Sequence, residues 1–315
     1  MATLARQFEA FHTKLALEPA REVRIRAALD ELRTSLQTDP VLAPLLREAL
    51  LSGSLAHGTA LQPRDGTEFA ADVVLALDLA RSEPWSTAAG RNPVATLEWL
   101  GARLGSNPLL ERRVRRLERC VRLWYPGDFH LDLIPANAPL AQSGAWQVPS
   151  PRPGAWNGLE PWIPSHPKAY AGWCADRNTS TSGRFSRTVR FLKCWRDHGL
   201  PVAARPSTIV LQTMVGQALP DTTDSDAHAL TVVLRNIADR ARSSQPFFSR
   251  LRVPNPVQLD EDLAVAWTDD SIQLFASHAN RSADRARLCW ETPNLDRSAQ
   301  LWADFFGERF PVPVA

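Results

Sequence analysis

Eight of the chain's 25 prolines fall between Ile134 and Pro167, in "IPANAPLAQSGAWQVPSPRPGAWNGLEPWIPSHP". Proline has no N–H to donate and its ring clashes with the carbonyl four residues back, so this stretch cannot be helical. It reads as a long connection or lobe boundary that divides 315 residues into two unlike parts. In front of it, residues 17–37 place Val23, Leu29, Leu32 and Leu36 near helical spacing, and 41–51 ("VLAPLLREALL") predicts a second helix. Residues 70–79 predict a buried strand. Residues 120–136 predict a hairpin, with "CVRLWY" alternating, "PGD" turning and "FHLDLIPA" returning. Behind residue 165 the pattern is helical, at 168–177, 185–198, 206–219, 225–243, 257–265, 271–290 and 295–306. The chain is therefore expected to be α+β at the front and all-α at the back.

Composition excludes several classes. A net charge of +2 gives no global polyanion signal, so a nucleic-acid or nucleotide site must be a local patch. No apolar run approaches the ~20 residues of a membrane span. The start, "MATLARQFEAFHTKL", lacks a signal peptide's apolar core. The four cysteines are scattered without a CxxC and read as thiols of a reducing cytoplasm. Cys194 and His198 stand one helical turn apart but have no second ligand pair, so no zinc site is expected.

The candidate chemistry begins at "SGSLAHGTAL". Small residues at Gly53, Ser54, Gly58 and Thr59 let backbone N–H groups approach an anion, although an ordinary turn has the same composition. Next comes "GTEFAADVVLAL", in which Asp72 opens an apolar strand. On a strand, side chains two apart share a face, so an acid at position 70 would pair with Asp72; Ala70 stands there instead. Asp132, inside the apolar "HLDLIPA", is a second acid that burial would penalise unless it is paired or metal-bound. Each acid alone also reads as a salt-bridged or turn residue. Arg187, Arg190 and Lys193 fall within one arc of the 185–198 helix, as a solvated basic face or a phosphate contact. The arginines of 103–122 read as a solvated helix face. Trp146, Trp156, Trp162, Tyr170 and Trp173 are hinge packing or base-stacking surfaces. His57 is a candidate phosphate contact.

Taken in order, the pieces resemble one branch of the polymerase-beta-type nucleotidyltransferases: the cyclic GMP-AMP synthase-like enzymes of bacteria, the CD-NTases of anti-phage CBASS systems. The resemblance rests on Gly53-Ser54, Gly58-Thr59, Ala70-x-Asp72 with "VVLAL", the acid of "HLDLIPA", "WIPSHPKAYAGW", "RTVRFLKCWRDHG", "VPNPV" and "AQLWADFFGERFPV". It implies a bilobal α+β fold. An N-terminal helix at 1–37 would brace both lobes; a nucleotidyltransferase core with a mixed twisted sheet would occupy 38–160, and a helical lobe 161–315, with the active site in the cleft between. It also implies two Mg2+ or Mn2+ ions held by Asp72, Asp132 and an acid at 70. The donor nucleotide would be held by Gly53, Ser54, Thr59, Lys193, Ser207 and Tyr170. The implied product is a cyclic oligonucleotide made from nucleoside triphosphates, a second messenger that reaches a separate effector protein. Regulatory proteins are further partners, whereas double-stranded DNA is not expected because no Cys/His-rich insertion occurs. Ala70 is either a ligand lost in nature or an Asp→Ala substitution; both predict strongly reduced turnover with nucleotide binding retained. Two alternatives remain: a pseudoenzyme that binds nucleotide without chemistry, and a template-independent RNA nucleotidyltransferase.

Overall fold

A computed structural model describes residues 3–312 except 65, 88–90, 109, 112, 139–144, 151–161 and 244–249. Much of the proline-rich stretch, including Trp156, lies outside the described residues. The chain forms two compact units, one of residues 17–56 and 62–169, the other of 1–16, 57–61 and 170–315.

The first unit is built on a seven-stranded mixed sheet, with the path β1 (Leu46–Leu51), β2 (Phe69–Leu77), β5 (Phe129–Asn137), β4 (Val121–Tyr125) and β3 (Val114–Arg116). β6 (Trp146–Pro149) continues from the end of β5 and pairs with β7 (Trp162–Ser165). Among the described residues of this sheet, only β2 and β5 run parallel; the other pairs are antiparallel. β2 and β5 occupy the middle of the path, and Val73, Leu75, Leu77, Leu131 and Leu133 are fully buried there. A helix α1 (Ala5–Leu15) belongs to the second unit, whereas α2 (Pro19–Thr38) packs on β1 in the first. α2 starts with Pro19 in its first turn, where proline's missing N–H costs nothing. Its buried stripe is Ile25, Ala28, Leu29, Leu32 and Leu36, while Val23 is 66% exposed.

Three local expectations are corrected. Residues 41–51 are not a helix: the chain turns at 40–45 and then forms β1, an edge strand antiparallel to β2. "LREALL" has the helix-forming residues, but pairing with the buried β2 overrides that weak propensity. The basic run 103–122 is not a helix face either. α4 (Pro93–Gly105), which opens with the Asn92 side chain accepting from Val94 N, ends at Gly105, and β3 and the start of β4 follow.

The second unit holds α5 (Pro167–Ser180, from Tyr170 onward), α6 (Arg184–Gly199), α7 (Thr208–Ala218), α8 (Asp226–Arg242), α9 (Asp269–Glu291) and α10 (Leu295–Phe306). α8 packs on α9, α6 on α7 and α8, and α10 on α6 and α9. Phe8 and Phe11 of α1 insert among Phe191, Trp302, Phe306 and Phe310, with ring centroids 4.8–5.6 Å apart. Edge-on rings stabilise such a cluster beyond the area they bury. The third correction falls here. Residues 257–265 are a hairpin rather than a helix, with β8 (Pro254–Asn255) antiparallel to β9 (Gln258–Asp262). Asn255 and Gln258 pair across a two-residue turn with Pro256 at its first central position, where a fixed φ suits proline, and Asn255 Oδ1 accepts from Val257 N. No helix among the described residues is long and apolar enough to cross a membrane.

Candidate active site

The parallel register of β2 and β5 sets Asp72 directly beside Asp132 and Ala70 beside His130. β4 adds Arg122 opposite Asp132 and Trp124 opposite His130. Directly paired residues project to one side of a sheet, so Ala70, Asp72, Arg122, Trp124, His130 and Asp132 share a face. The opposite face carries Ala71, Val73, Leu123, Leu131 and Leu133, all buried. The alternation of β2 thus sends its one acid to the polar side.

The Gly53–Ser54 turn is seated on that acid. Ser52 N donates to Asp72 O at 2.8 Å. Gly53 has φ +65°, and a Cβ there would collide with the Asp72 carboxylate. Both the left-handed backbone and the close approach require glycine. Ser54 continues in a single helical turn, α3 (Gly53–Ala56).

Asp132 is held by a guanidinium. Arg122 Nε and Nη2 donate to its two carboxylate oxygens at 2.7 and 2.9 Å. Arg122 also lies 5.6 Å over the Trp124 ring, and Trp124 Nε1 donates to Glu68 Oε2 at 3.1 Å. Glu68 Oε2 meets His130 Nδ1 at 3.0 Å, and His130 Nε2, 3.9 Å from Asp132, makes no hydrogen bond among the described residues. The bonds to Asp132 raise the Arg122 pKa above its ordinary value. Burial, reinforced by the charge of Asp132, pushes the Cys120 thiol up to about 12. Burial lowers Arg119, with the charge of Asp72 among the opposing influences.

This donor set does not fit a pair of divalent ions. Position 70 offers a methyl group, and both oxygens of Asp132 already accept from Arg122. No group of three His, Cys, Asp or Glu side chains able to hold a metal occurs among the described residues. Two dications need more negative charge than two carboxylates, one of them already opposed by a guanidinium, supply.

The remaining expected site residues lie in the second unit. Lys193 is 4% exposed; its Nζ donates to Thr59 O at 2.8 Å and to Thr59 Oγ1 at 3.3 Å. An ammonium accepts nothing, so the Thr59 hydroxyl gives its own proton to Gln212 Oε1, 2.7 Å away. That fixes the amide: Gln212 Nε2 donates to His57 Nδ1 at 3.1 Å, and the neutral ring carries its proton on Nε2. Burial lowers His57 to about 4, helped by the charge of Lys193. Burial lowers Lys193 to about 7, with Arg196 and Arg190 adding repulsion. Arg187 and Arg190 are not a solvated face: Arg187 pairs with Asp226 and Glu9, and Arg190 donates to Ala60 O. Tyr170 is 4% exposed, its hydroxyl 2.7 Å from Thr213 Oγ1 and its ring against His57 and Trp173, so it packs inside the unit rather than offering an open stacking face. Ser207 is the exposed residue before α7, without a side-chain capping bond.

The structure therefore gathers Gly53, Asp72 and Asp132 in one unit, and Thr59, Lys193 and Tyr170 around Gln212 in the other. Sequence reasoning missed Arg122, Glu68, His130 and Gln212. Arg122 was within reach. Once Tyr125 and Phe129 close the "PGD" hairpin, counting three residues outward from each sets Arg122 against Asp132. Gln212 gave no local signal, because its partners lie 38 to 155 residues away.

The Second Messenger Oligonucleotide or Dinucleotide Synthetase domain matches residues 1–178. A probable cyclic AMP-AMP-GMP nucleotide synthase from Salmonella paratyphi B is 22% identical, over 98% of this chain and 92% of that protein. The c-di-GMP synthase of Roseivirga ehrenbergii is 25% identical, over 97% and 83%. In fold, the chain is similar to CdnC of E. coli MS115-1 solved with ATP, at TM-score 0.79 and 16% identity, covering 98% of each chain. It is similar also to the same protein in its complex with HORMA-deltaN, at TM-score 0.76 and 17% identity, over 98% and 99%.

Proposed function

We propose, for a chain that belongs to the Second Messenger Oligonucleotide or Dinucleotide Synthetase family, that it is a nucleotidyltransferase joining nucleoside triphosphates into a cyclic oligonucleotide with release of pyrophosphate. The observation that carries the reading is Asp72 set beside Asp132 on adjacent parallel strands, with the Gly53–Ser54 turn packed on Asp72. The small turn brings backbone N–H groups and the Ser54 hydroxyl to a donor's phosphates. Lys193 and Ser207 are proposed as further phosphate contacts. Lys193 must first leave the Thr59 carbonyl, or act through it by holding the 57–61 segment in shape. By the family's description, the product is a second messenger; its role would be anti-phage signalling to a separate effector, in the cytoplasm. The HORMA-deltaN complex of CdnC supports a regulatory protein partner.

Position 70 decides whether the site turns over. An acid there would add the third carboxylate that the set lacks for divalent ions. The chain with Ala70 is expected to bind nucleotide and turn over slowly. The test is the mass of the product formed from ATP, GTP, CTP and UTP with Mg2+ or Mn2+, for this chain and for Ala70→Asp. A cyclic species from Ala70→Asp, at a rate about a hundredfold or more above the parent, supports the reading. Equal robust rates refute the missing-ligand argument, and an extended RNA product favours a terminal transferase. Silence from both proteins, with nucleotide still bound, favours the pseudoenzyme. Ala70 and the Arg122–Asp132 pair are the two observations on its side.

A further inference from the structure

Three buried polar residues, on three segments of the second unit, stand in one line: Lys193 on α6, Thr59 on the 57–61 segment and Gln212 on α7. Each link has one chemically allowed direction. The ammonium has only protons to give, so Thr59 Oγ1 accepts from Lys193 Nζ and passes its own proton to Gln212 Oε1. The Gln212 amide nitrogen is left facing His57 Nδ1, which must accept, and the imidazole proton is forced to Nε2. His57 Nε2 makes no hydrogen bond among the described residues and is not one of their buried polar atoms. Tyr170 backs the ring, with centroids 5.0 Å apart. The ground beside it is open: Gly58 is exposed, and a Cβ there would meet nothing within 4 Å.

We propose that Gln212 is a positioning residue, which makes His57 a fixed, uncharged Nε2–H donor to a phosphate oxygen of the bound nucleoside triphosphate. Lys193 is buried out of a ligand's reach, and the line of bonds delivers its influence instead. Each donor in such a chain polarises the next, so the charge at one end strengthens the N–H at the other. A neutral imidazole also meets the phosphate without placing a second cation beside the buried ammonium. The inference rests on reading this protein as a nucleotide binder; it names one contact within that reading and the group that sets it.

The experiment joins long-range 1H–15N NMR of histidine-labelled protein to the dissociation constant of ATP, both at pH 6. There His57, lowered to about 4, is neutral, and Lys193, at about 7, is charged. Loss of signals in His57→Ala assigns the ring. The parent should show the Nε2–H tautomer. Gln212→Met, which keeps the length of the side chain and removes the amide, should show a mixture of both tautomers. ATP binding should weaken about tenfold in Gln212→Met, about tenfold in His57→Ala, and no further in the double variant. If Gln212→Met does not fold, Thr59→Val replaces it: with no hydroxyl to hold Oε1 the amide can rotate, and both readouts should move the same way. A parent ring protonated on Nδ1 overturns the proposal. So does an effect of Gln212→Met on ATP that persists in full in the His57→Ala background, which would make Gln212 merely structural. ATP binding unchanged in His57→Ala or in Gln212→Met overturns the contact and leaves the nucleotide reading intact. A folded parent that binds no ATP overturns both.

Discussion

Two buried charges, one in each unit, are handled in opposite ways. At the acid face of the first, Asp132 is matched by a guanidinium bonded to both oxygens. In the second, Lys193 is more deeply buried and, among the described residues, has no carboxylate bonded to it and donates to the neutral oxygens of Thr59. The first device neutralises by pairing, and the second by weakening the proton's hold until Lys193 titrates at about 7. Pairing is robust to pH but fails when either partner is removed. A buried lone ammonium can shed its charge, so it tolerates alkaline conditions and resists mutation less specifically.

Three measurements would break or sharpen this comparison. The largest effect is expected where the acid face leaves no room. Gly53→Ala must strain a backbone at φ +65° and push a methyl group into the Asp72 carboxylate. It should cost about 2–3 kcal/mol in urea unfolding, and a loss under 0.5 would show that the turn is not fixed on Asp72. A smaller effect should come from the ion pair itself. A double-mutant cycle of Arg122→Met with Asp132→Asn is expected to give a coupling of about 1–2 kcal/mol. The figure is held down because Arg122 is a quarter exposed to solvent. A coupling near zero would mean that the fork contributes nothing to folding.

The smallest effect is a slope. Folded Lys193 titrates at about 7 and the unfolded side chain near 10.5. Below pH 7 both states carry the proton and this residue adds no pH dependence. Above pH 7 the folded state binds fewer protons, so stability should rise with pH, by at most about 1.4 kcal/mol per unit from this one group. Unfolding of the parent and of Lys193→Met at pH 7, 7.75 and 8.5 checks it. The parent should gain stability across the window and the variant should lose that gain, whereas parallel curves would remove Lys193 as the cause. The thiols, whose raised values in the fold act in the other direction from their unfolded range of about 8.5–9 upward, are present in both proteins, so the difference between the two curves isolates Lys193.

How much was legible follows the range of the interactions. The hairpin that carries Asp132 could be read from "PGD" and the alternation beside it, because a two-strand turn is a local event. The buried β2 could be read from five apolar residues in a row, "VVLAL". β1 could not, since "LREALL" has helical preferences and becomes a strand only because β2 presents an open edge. The basic stripe of α6 was visible in sequence, but its fate was not. Arg187, Arg190 and Lys193 are taken up by Asp226, Ala60 and Thr59, none of them a neighbour in the chain.

The sequence by itself determined the polarity of the acid face, because alternation on a strand places Asp72 away from the apolar side whatever surrounds it. It also determined what position 70 lacks. Only the tertiary structure decided that Asp72 and Asp132 would be neighbours in register, that Gly53 would rest on one and Arg122 would grip the other. The physical reason is that strand order and register are set by which buried surfaces meet, over separations of 60 residues, and no local pattern encodes that choice.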